Sequence, residues 1–359
     1  MAIMAAGVIA LGMSACGDDD DSGAADTAGG SSGGGGGTIA LLLPETANTR
    51  YETKDKPLFE AKVKELCPDC EVLYSNADQD ASKQQQQAEA AITNGAKVLV
   101  LDAVDAASAQ SIVTQADSRG IAVIAYDRQL TGPGIDYYNS YDNAKVGNLQ
   151  AQSLVDKLTE DGKQDGTIVM INGAPTDNNA KLFKQGAHEV IDASSLKIGK
   201  EYDTPNWSAA EAQDEMDQAI TALGKNNIAG VYAANDGTAG GAIAAMKGAG
   251  IDPSKVPTTG QDADLAGVQR IIAGEQYMTV YKAIKPQAED AATAAVNLLQ
   301  GKDIGVDAET IDNVPTKIYD PVAVTLENLA DTVLADGFWS VDEICTGAYA
   351  KACTDAGIQ

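Results

Sequence analysis

Charged and amide residues stand directly after several apolar runs of the sequence. The run VIAY is followed by Asp127 and Arg128, and the run TIVMIN is followed within a few residues by Asp177 and Asn179. Carboxylates only accept hydrogen bonds, Arg and Lys only donate them, and Asn does both, so a fixed set of these groups dictates the orientation of each hydroxyl of a polyol. This pattern predicts a binding site for a small neutral sugar.

The same arrangement recurs along the chain, and two aromatic residues accompany it. An aromatic ring can cover the apolar C–H face of a pyranose. Hydrogen bonds to charged groups contribute roughly 1.5 to 3 kcal/mol each, so about four to six of them support micromolar affinity. The predicted ligand-binding residues are Arg50, Tyr51, Asp127, Arg128, Asp177, Asn179, Trp207, Asn235, Asp262 and Lys282.

Four of these positions have a plain structural alternative. The adjacent charges of Asp127 and Arg128 suit a surface turn with a local ion pair. Trp207 suits partly buried packing, and Lys282 suits a side chain that leaves the sheet into solvent.

Two further clusters also have a local structural alternative. Asp262 and Asp264 precede a helical segment and suit its N-cap, and Asn235 with Asp236 suits a turn. The functional interpretation is favoured because all these residues follow apolar runs, which are predicted strands. The ends of these strands are expected to face one cleft between two lobes.

Short apolar runs alternate with segments of helical periodicity from Thr38 onward, and this alternation positions the polar residues. The predicted strands are 38–43, 71–75, 97–101, 121–127, 167–172, 228–234, 256–260 and 277–281, with a less regular segment at 198–203. The predicted helices are 57–66, 81–95, 106–120, 143–158, 180–191, 209–223, 239–250 and 263–274.

Strands that alternate with crossover helices form a parallel, doubly wound sheet. The series occurs twice, so we expect an α/β protein of two Rossmann-like lobes. Ligands of such sheets bind at the carboxyl ends of the strands, and two lobes leave a cleft between them.

The bulk composition restricts the classes of partner. A chain of 359 residues has room for about two domains. Its net charge of −27 excludes a general attraction to nucleic-acid phosphate or to anionic lipid. No GxGxxG follows the first strand and no GxSxG is present, so we expect no enzyme, no cofactor and no metal.

The N-terminus differs from the rest of the chain. MAIMAAGVIALGMSAC is too short to span a bilayer, and it is typical of a signal peptide that ends at a lipobox with Cys16 as the lipid-modified residue, although no Lys or Arg precedes the apolar run. Residues 17–37 are acidic and rich in Gly and Ser, which predicts a flexible tether. We therefore expect an extracytoplasmic protein held at the membrane by a lipid anchor.

Four further cysteines are compatible with disulfide bonds outside the cytoplasm. The preferred pairs are the local ones, Cys67 with Cys70 and Cys345 with Cys353. A CxxC motif also suits redox or metal chemistry, but the single His188 is remote in sequence and no second CxxC is present.

Several long stretches carry a resemblance to a known family. They are AYDR, YYNSYDNAKVGNLQAQSLVDKL, GAPTDNNAKLFKQGA, ANDGTAGGAIAAMKGAG, TGQDADLAGVQRIIAGEQYMTVYK and LADTVLADGFW. From about Thr38 to Phe338 the chain resembles the type I periplasmic sugar-binding proteins of bacterial ABC importers, in particular the D-xylose-binding and multiple-sugar-binding receptors. Tyr51 stands where a Trp often follows the Arg in the xylose receptors, so the resemblance identifies the family and leaves the sugar open.

The resemblance implies two lobes joined by three crossover strands, near 140–143, 282–285 and 319–324. The implied N-terminal lobe is 38–141 with 284–320, the C-terminal lobe is 142–283 with 321–345, and 346–359 is a C-terminal tail. It also implies a monomer that captures a monosaccharide by hinge closure and presents it to a membrane permease, with the residues given above as sugar contacts. A sensor that signals the sugar across a membrane, and a glycosidase that uses paired acids, stay open as alternatives.

Overall fold

Three β-sheets with helices packed against them make up the part of the chain that the structure describes. This is a computed structural model, and it describes residues 36–130 and 132–358. The predicted signal peptide at 1–16, with its Cys16, and most of the predicted tether at 17–37 lie outside the described residues.

The last two residues of the predicted tether already belong to the folded body. The carbonyl oxygen of Gly37 accepts a hydrogen bond from the backbone nitrogen of Glu71 at 2.9 Å. At Gly36 a Cβ atom would come within 1.9 Å of the carbonyl oxygen of Asp69, so this close approach of two backbones requires glycine.

The predicted strands and helices between 38 and 281 occur in the predicted order, except for the strand at 256–260, and the structure adds a strand at 137–141 and further elements after residue 283. The strands are β1 (Thr38–Leu43), β2 (Glu71–Asn76), β3 (Ala96–Leu101), β4 (Ala122–Tyr126), β5 (Tyr137–Tyr141), β6 (Thr167–Asn172), β7 (Lys197–Asp203), β8 (Gly230–Ala233), β9 (Met278–Tyr281), β10 (Glu309–Ile311), β11 (Val314–Tyr319) and β12 (Val322–Thr325). The α-helices are α1 (Lys56–Leu66), α2 (Ala81–Thr93), α3 (Gln110–Asp117), α4 (Asn143–Glu160), α5 (Asn178–Ile191), α6 (Ala209–Leu223), α7 (Asp236–Gly248), α8 (Leu265–Ile272), α9 (Ile284–Leu299), α10 (Val341–Ile344) and α11 (Ala350–Asp355).

The first sheet has the strand order β10-β11-β5-β4-β3-β1-β2, and only β10 runs antiparallel to its neighbour. Side chains alternate between the two faces of a strand, and strand β1 is covered by helices on both faces. Ile39 and Leu41 pack beneath α1 and α9, whereas Ala40 and Leu42 pack beneath α2 and α3. This explains why β1 reads as an unbroken apolar run.

The second sheet has the strand order β7-β6-β8, and the third is the antiparallel pair β9 and β12. Residues 258–260 lie between these two sheets, because Tyr277 donates a backbone hydrogen bond to the carbonyl oxygen of Thr258 and Val280 donates one to that of Gly260, both at 3.0 Å.

The strand predicted at 256–260 is wrong as a regular strand, since it forms one bridge, between Val231 and Thr258. The Thr259 hydroxyl takes over part of the ladder, because it accepts from the backbone nitrogen of Ala233 and donates to its carbonyl oxygen, both at 2.9 Å.

Helix α3 is shorter than the helix predicted at 106–120. The carboxylate of Asp105 accepts a hydrogen bond from the backbone nitrogen of Ser108 at 2.6 Å. The following backbone bonds are of the tighter 3-10 type, because the backbone nitrogen of Ser111 donates to the carbonyl oxygen of Ser108 at 3.1 Å, and the first α-helical residue is therefore Gln110.

The chain passes between the first sheet and the two smaller sheets three times, at 142, at 282–283 and at 320–321. We call the part built on the first sheet the first lobe and the part built on the two smaller sheets the second lobe. The limits of the two lobes stay a prediction, and the path of the chain supports it. The cleft between them lies at the carboxyl ends of the parallel strands.

The segment after Trp339 packs on the second lobe. A disulfide bond joins Cys345 to Cys353, and both Cys353 and Ile358 are buried against Trp339 and its neighbours. The predicted tail is therefore part of the folded body up to Ile358.

A second disulfide bond joins Cys67 to Cys70 at the turn between α1 and β2. Within residues 36–130 and 132–358, no helix combines the length and apolar character needed to cross a membrane.

Candidate functional site

A cavity between the two lobes collects polar side chains from the ends of strands of both sheets. All the predicted ligand-binding residues except Asn235 line it. The lining residues are Asn48, Arg50, Tyr51, Asp127, Arg128, Asp177, Asn179, Phe183, Trp207, Gln261, Asp262 and Lys282.

Arg50 is held rigidly by two partners within the first lobe. Its guanidinium forms a two-point pair with the Asp55 carboxylate, at 2.9 Å from Nε and 2.7 Å from Nη2. Such forked pairs fix the plane of the guanidinium. The side-chain oxygen of Gln287 on α9 accepts from Arg50 Nη2 at 3.0 Å, so the crossing helix also helps to orient this arginine.

Asp127 is ionised although it is buried. Burial raises the pKa of a carboxyl group, but Arg50, Lys282 and Arg128 outweigh it and, with a hydrogen bond from Gln287 at 3.1 Å, lower the pKa of Asp127 to about 2. Arg50 Nη1 lies 3.3 Å from its carboxylate. Asp127 can therefore act as a fixed hydrogen-bond acceptor at any ordinary pH.

Arg128 connects the two lobes through a fully buried guanidinium. Its Nη1 donates to the carbonyl oxygen of Ala103 at 3.1 Å, and its Nε lies 3.1 Å from the Asp177 carboxylate of the second lobe. Glu45 lies 3.5 Å from Nη2 of Arg128, and Asp102 lies 3.6 Å from Nε of Arg128. Burial raises the pKa of both acids, and the nearby Arg128 opposes this shift.

The first turn of α5 presents a second set of polar groups. Asp177 caps the helix by accepting from the backbone nitrogen of Asn179 at 2.8 Å, and its other oxygen accepts from the indole nitrogen of Trp207 at 3.1 Å. The amide nitrogen of Asn179 donates across the cleft to the backbone oxygen of Asp127 at 3.1 Å.

Trp207 is buried in the cavity wall and not merely packed in a core. It meets the edge of Phe183, with the ring centroids 6.3 Å apart. A Cβ atom at position 173 would lie 2.0 Å from Cη2 of Trp207, so Gly173 is the residue that makes room for the indole.

Lys282 does not leave the sheet into solvent, so that alternative is wrong. The side chain is 3% exposed, and its Nζ lies 2.7 Å from the carboxylate of Asp262. Arg50 Nη1 of the first lobe lies 3.8 Å from the same carboxylate, so Asp262 is shared between the lobes.

Three of the predicted ligands have a left-handed backbone. The φ angles are 58° at Asp127, 55° at Trp207 and 87° at Asp262. Residues other than glycine seldom adopt this conformation, and such strain concentrates at functional sites. The geometry is therefore consistent with side chains that are aimed at a ligand at some cost in stability.

Asn235 caps helix α7, whereas the local alternative expected for it was a turn. Its side-chain oxygen accepts from the backbone nitrogen of Thr238 at 2.8 Å at the start of α7. Its amide nitrogen donates to the side chain of Asn48, which lines the cavity. Asn235 thus supports the site without lining it.

Asp264 shows the opposite outcome, since its side chain makes no capping bond at the start of α8. Its carboxylate instead accepts from the hydroxyl of Thr49 in the first lobe at 2.7 Å.

Sequence reasoning missed three lining residues, Asn48, Phe183 and Gln261. Gln261 stands directly before Asp262, so the rule of polar residues at strand ends could have found it. Asn48 shares the loop of Arg50 and carried the same signal. Phe183 lies on α5, where an apolar residue that faces a cavity cannot be distinguished from one that faces a core.

Buried polar atoms of the cavity are left without hydrogen-bond partners among the described residues. They include the acceptors Oδ1 of Asn179 and Oε1 of Gln261, and the donor Nε of Arg128, which lies near Asp177 but is not aligned with it for a hydrogen bond. A buried polar group without a partner is costly, and most such groups are satisfied by protein, water or ligand. The mixture of acceptors and donors matches the hydroxyl groups of a neutral polyol.

A larger and more apolar cavity of about 750 Å³ lies beside the first chain crossing, and it includes Tyr138, Tyr141 and Val314. None of the predicted ligand-binding residues lines it, so the chemistry favours the smaller cavity.

Comparison with known proteins places this geometry in a family. The model of the periplasmic binding protein domain matches residues 39–303, which is most of the chain. The chain belongs to this family. Among its relatives in the family is the D-xylose-binding periplasmic protein of Haemophilus influenzae, 39% identical over 298 residues that cover 81% of this chain and 87% of the relative.

Two further members of the family are informative. The multiple sugar-binding periplasmic receptor of Rhizobium radiobacter is 36% identical over 74% of this chain and 81% of the relative. The solved solute-binding protein of an ABC transporter from Clostridium phytofermentans, with bound β-D-glucose, is 27% identical and covers 86% of this chain and 99% of its own, with a TM-score of 0.76. The fold is the type I periplasmic binding protein fold, as the sequence predicts.

Proposed function

We propose that this protein is the extracytoplasmic receptor of an ABC sugar importer and that it binds one monosaccharide, D-xylose or a related aldose such as glucose, galactose or arabinose. The names of the relatives, which include D-xylose-binding and multiple sugar-binding proteins, support this assignment. The glucose in the related solved structure supports a wider range of aldoses.

The observation that carries the proposal is the chemistry of the interlobe cavity. The charged groups hold one another in place. The side-chain amide oxygens of Asn179 and Gln261 are hydrogen-bond acceptors that have no partner among the described residues. Trp207 and Phe183 add aromatic surface for the C–H face of a ring. A neutral polyol satisfies these groups without adding a charge to a buried cluster.

The binding mechanism we propose is hinge closure. Arg128 and Asp177, like Thr49 and Asp264, come from different lobes and meet in the described conformation. A sugar that contacts both lobes favours this conformation over an open one, because it gains contacts only there.

Calorimetric titration of the purified protein with D-xylose, D-glucose, D-galactose, L-arabinose and D-ribose tests the proposal. We expect saturable binding of at least one sugar with a dissociation constant in the micromolar range or below. Absence of heat with all five at millimolar concentration would overturn it.

The partner we propose is an ABC permease, and we propose binding without turnover by a monomer. Incubation with disaccharides and aryl glycosides should yield no product, and light scattering should give the mass of one chain. Co-purification with permease components separates this role from that of a receptor for a membrane sensor.

We further propose that Cys16 carries a lipid that anchors the protein at the extracytoplasmic face. Metabolic labelling with a radioactive fatty acid should label the full-length protein, and the Cys16→Ser variant should lose the label. Retention of the label in this variant would refute anchoring at this residue.

A further inference from the structure

A lysine of the first lobe rests on a tryptophan of the second lobe outside the sugar cavity. Lys54 Nζ lies 3.7 Å from the centroid of the Trp339 ring and 4.9 Å from that of Phe338. The same ammonium donates a hydrogen bond to the carbonyl oxygen of Phe338. An ammonium over an indole face is attracted by the ring electrons, more strongly so when water is partly excluded.

The indole N–H of Trp339 is hydrogen-bonded to the turn that contains Asp262, one of the predicted sugar-binding residues. Its indole nitrogen donates to the carbonyl oxygen of Ala263 at 2.8 Å. Ala263 and Asp262 both have a positive φ, of 49° and 87°. Such a turn persists only when its surroundings fix it, and the indole bond is one of the contacts that do so.

The C-terminal segment supports Trp339 from behind. The side chain of Gln269 on α8 donates to the carbonyl oxygen of Ile344 at 3.0 Å, and Ile344, Cys353 and Ile358 are buried in the same cluster as Trp339. The disulfide bond between Cys345 and Cys353 closes this segment on itself. Trp339 is thus fixed to the second lobe and offers its ring to the first.

We propose that Lys54 and Trp339 form an interlobe latch that positions Asp262 and slows the release of bound sugar. The two are positioning residues, since neither lines the cavity. The latch rests on the proposed function as a sugar receptor. It links closure of the lobes to the ligand because the ring that accepts Lys54 also fixes the turn of Asp262.

Stopped-flow measurement of sugar association and dissociation tests the latch, with the sugar that calorimetry identifies. Lys54→Met keeps the length of the side chain and removes the charge, and we expect it to raise the dissociation rate about three- to tenfold with little change in association. Lys54→Arg keeps the cation over the ring and should restore the rate to within about twofold of the wild type.

A matched control lies two residues along the chain. Lys56 Nζ lies 3.8 Å from the Tyr74 ring and 3.7 Å from Glu52, and both partners belong to the first lobe. Lys56→Met should leave both rates unchanged. A dissociation rate of Lys54→Met equal to that of the wild type, or an equal increase in Lys56→Met, would overturn the latch.

Trp339 also provides a direct signal, because the chain contains only two tryptophans, Trp207 and Trp339. In the Trp207→Phe variant, saturating sugar should change the emission of Trp339, and adding Lys54→Met should remove most of that change. Unchanged emission at saturation would overturn the latch, whereas a wild-type protein that binds no sugar would overturn the proposed function itself.

Discussion

Arg128 Nε lies 3.1 Å from the carboxylate of Asp177, and the two residues belong to different lobes. The pair that Asp127 and Arg128 suggest in the sequence is therefore not a local one. Each member faces partners contributed by distant segments, Arg50 and Gln287 for Asp127 and Asp177 for Arg128.

Replacing Arg128 by Lys should weaken sugar binding by about tenfold or more. Lysine keeps the charge beside Glu45 and Asp102 but cannot reach several acceptors at once with a planar fork, and hydrogen bonds to charged groups contribute roughly 1.5 to 3 kcal/mol. Calorimetry gives the dissociation constant, and a thermal melt shows whether the fold is kept. The exposed Arg119→Lys is the control, and wild-type affinity in Arg128→Lys would contradict an interlobe role.

A methyl group added at position 173, behind the indole of Trp207, should weaken sugar binding although residue 173 does not line the cavity. In Gly173→Ala the new Cβ would lie 2.0 Å from the Trp207 ring, so the ring must move, and we expect the affinity to fall about tenfold or more. Gly248→Ala is the matched control, because nothing lies within 4 Å of its added Cβ. That control should raise the melting temperature slightly, as alanine does in a helix. Equal affinities for the two variants would show that Trp207 is not part of the site.

The titration of Asp236 and Asp264 should lower the free energy of unfolding as the pH rises. Burial raises the pKa of both carboxyls above the ordinary 3.8, and the neighbouring carboxylates raise it further, Asp264 acting on Asp236 and Asp262 on Asp264, although Arg270 opposes this. The folded protein then keeps protons that the unfolded chain has lost, so this contribution to the free energy of unfolding decreases between about pH 4 and pH 8.

Asp264→Asn tests that contribution through urea unfolding across this pH range. The variant should show a shallower decline in unfolding free energy than the wild type, because one buried charge is removed from the cluster. The exposed Asp214→Asn should keep the wild-type slope. A slope in Asp264→Asn identical to that of the wild type would contradict the prediction.

The two disulfide bonds should differ in their effect on sugar release. Removing Cys345–Cys353 by a double Ser substitution should cost about 2 to 4 kcal/mol of unfolding free energy and raise the sugar dissociation rate, because Cys353 packs in the cluster of Trp339. Removing Cys67–Cys70 opens a turn of the first lobe and should lower stability without a change in that rate. Equal dissociation rates in both variants would show that the C-terminal segment does not influence sugar release.

Much of the fold could be predicted because it follows from local patterns. Strand β1 reads as an unbroken apolar run since both its faces are covered, and the polar residues directly after the strands mark the edge where ligands bind. The errors have local causes as well. A threonine hydroxyl replaces backbone ladder bonds near 256–260. Asn235 is a different case, because it caps α7 and bonds Asn48, and its direct contact with a sugar stays a prediction.

The sequence by itself determined which residues stand at the ends of strands, because periodicity and capping depend on neighbours along the chain. It did not determine that Arg128 meets Asp177, that Gln287 orients Arg50 and Asp127, or that Lys54 rests on Trp339. Only the tertiary structure decided these pairs, because each joins segments whose distance depends on how the two lobes and the crossing helix are placed in space.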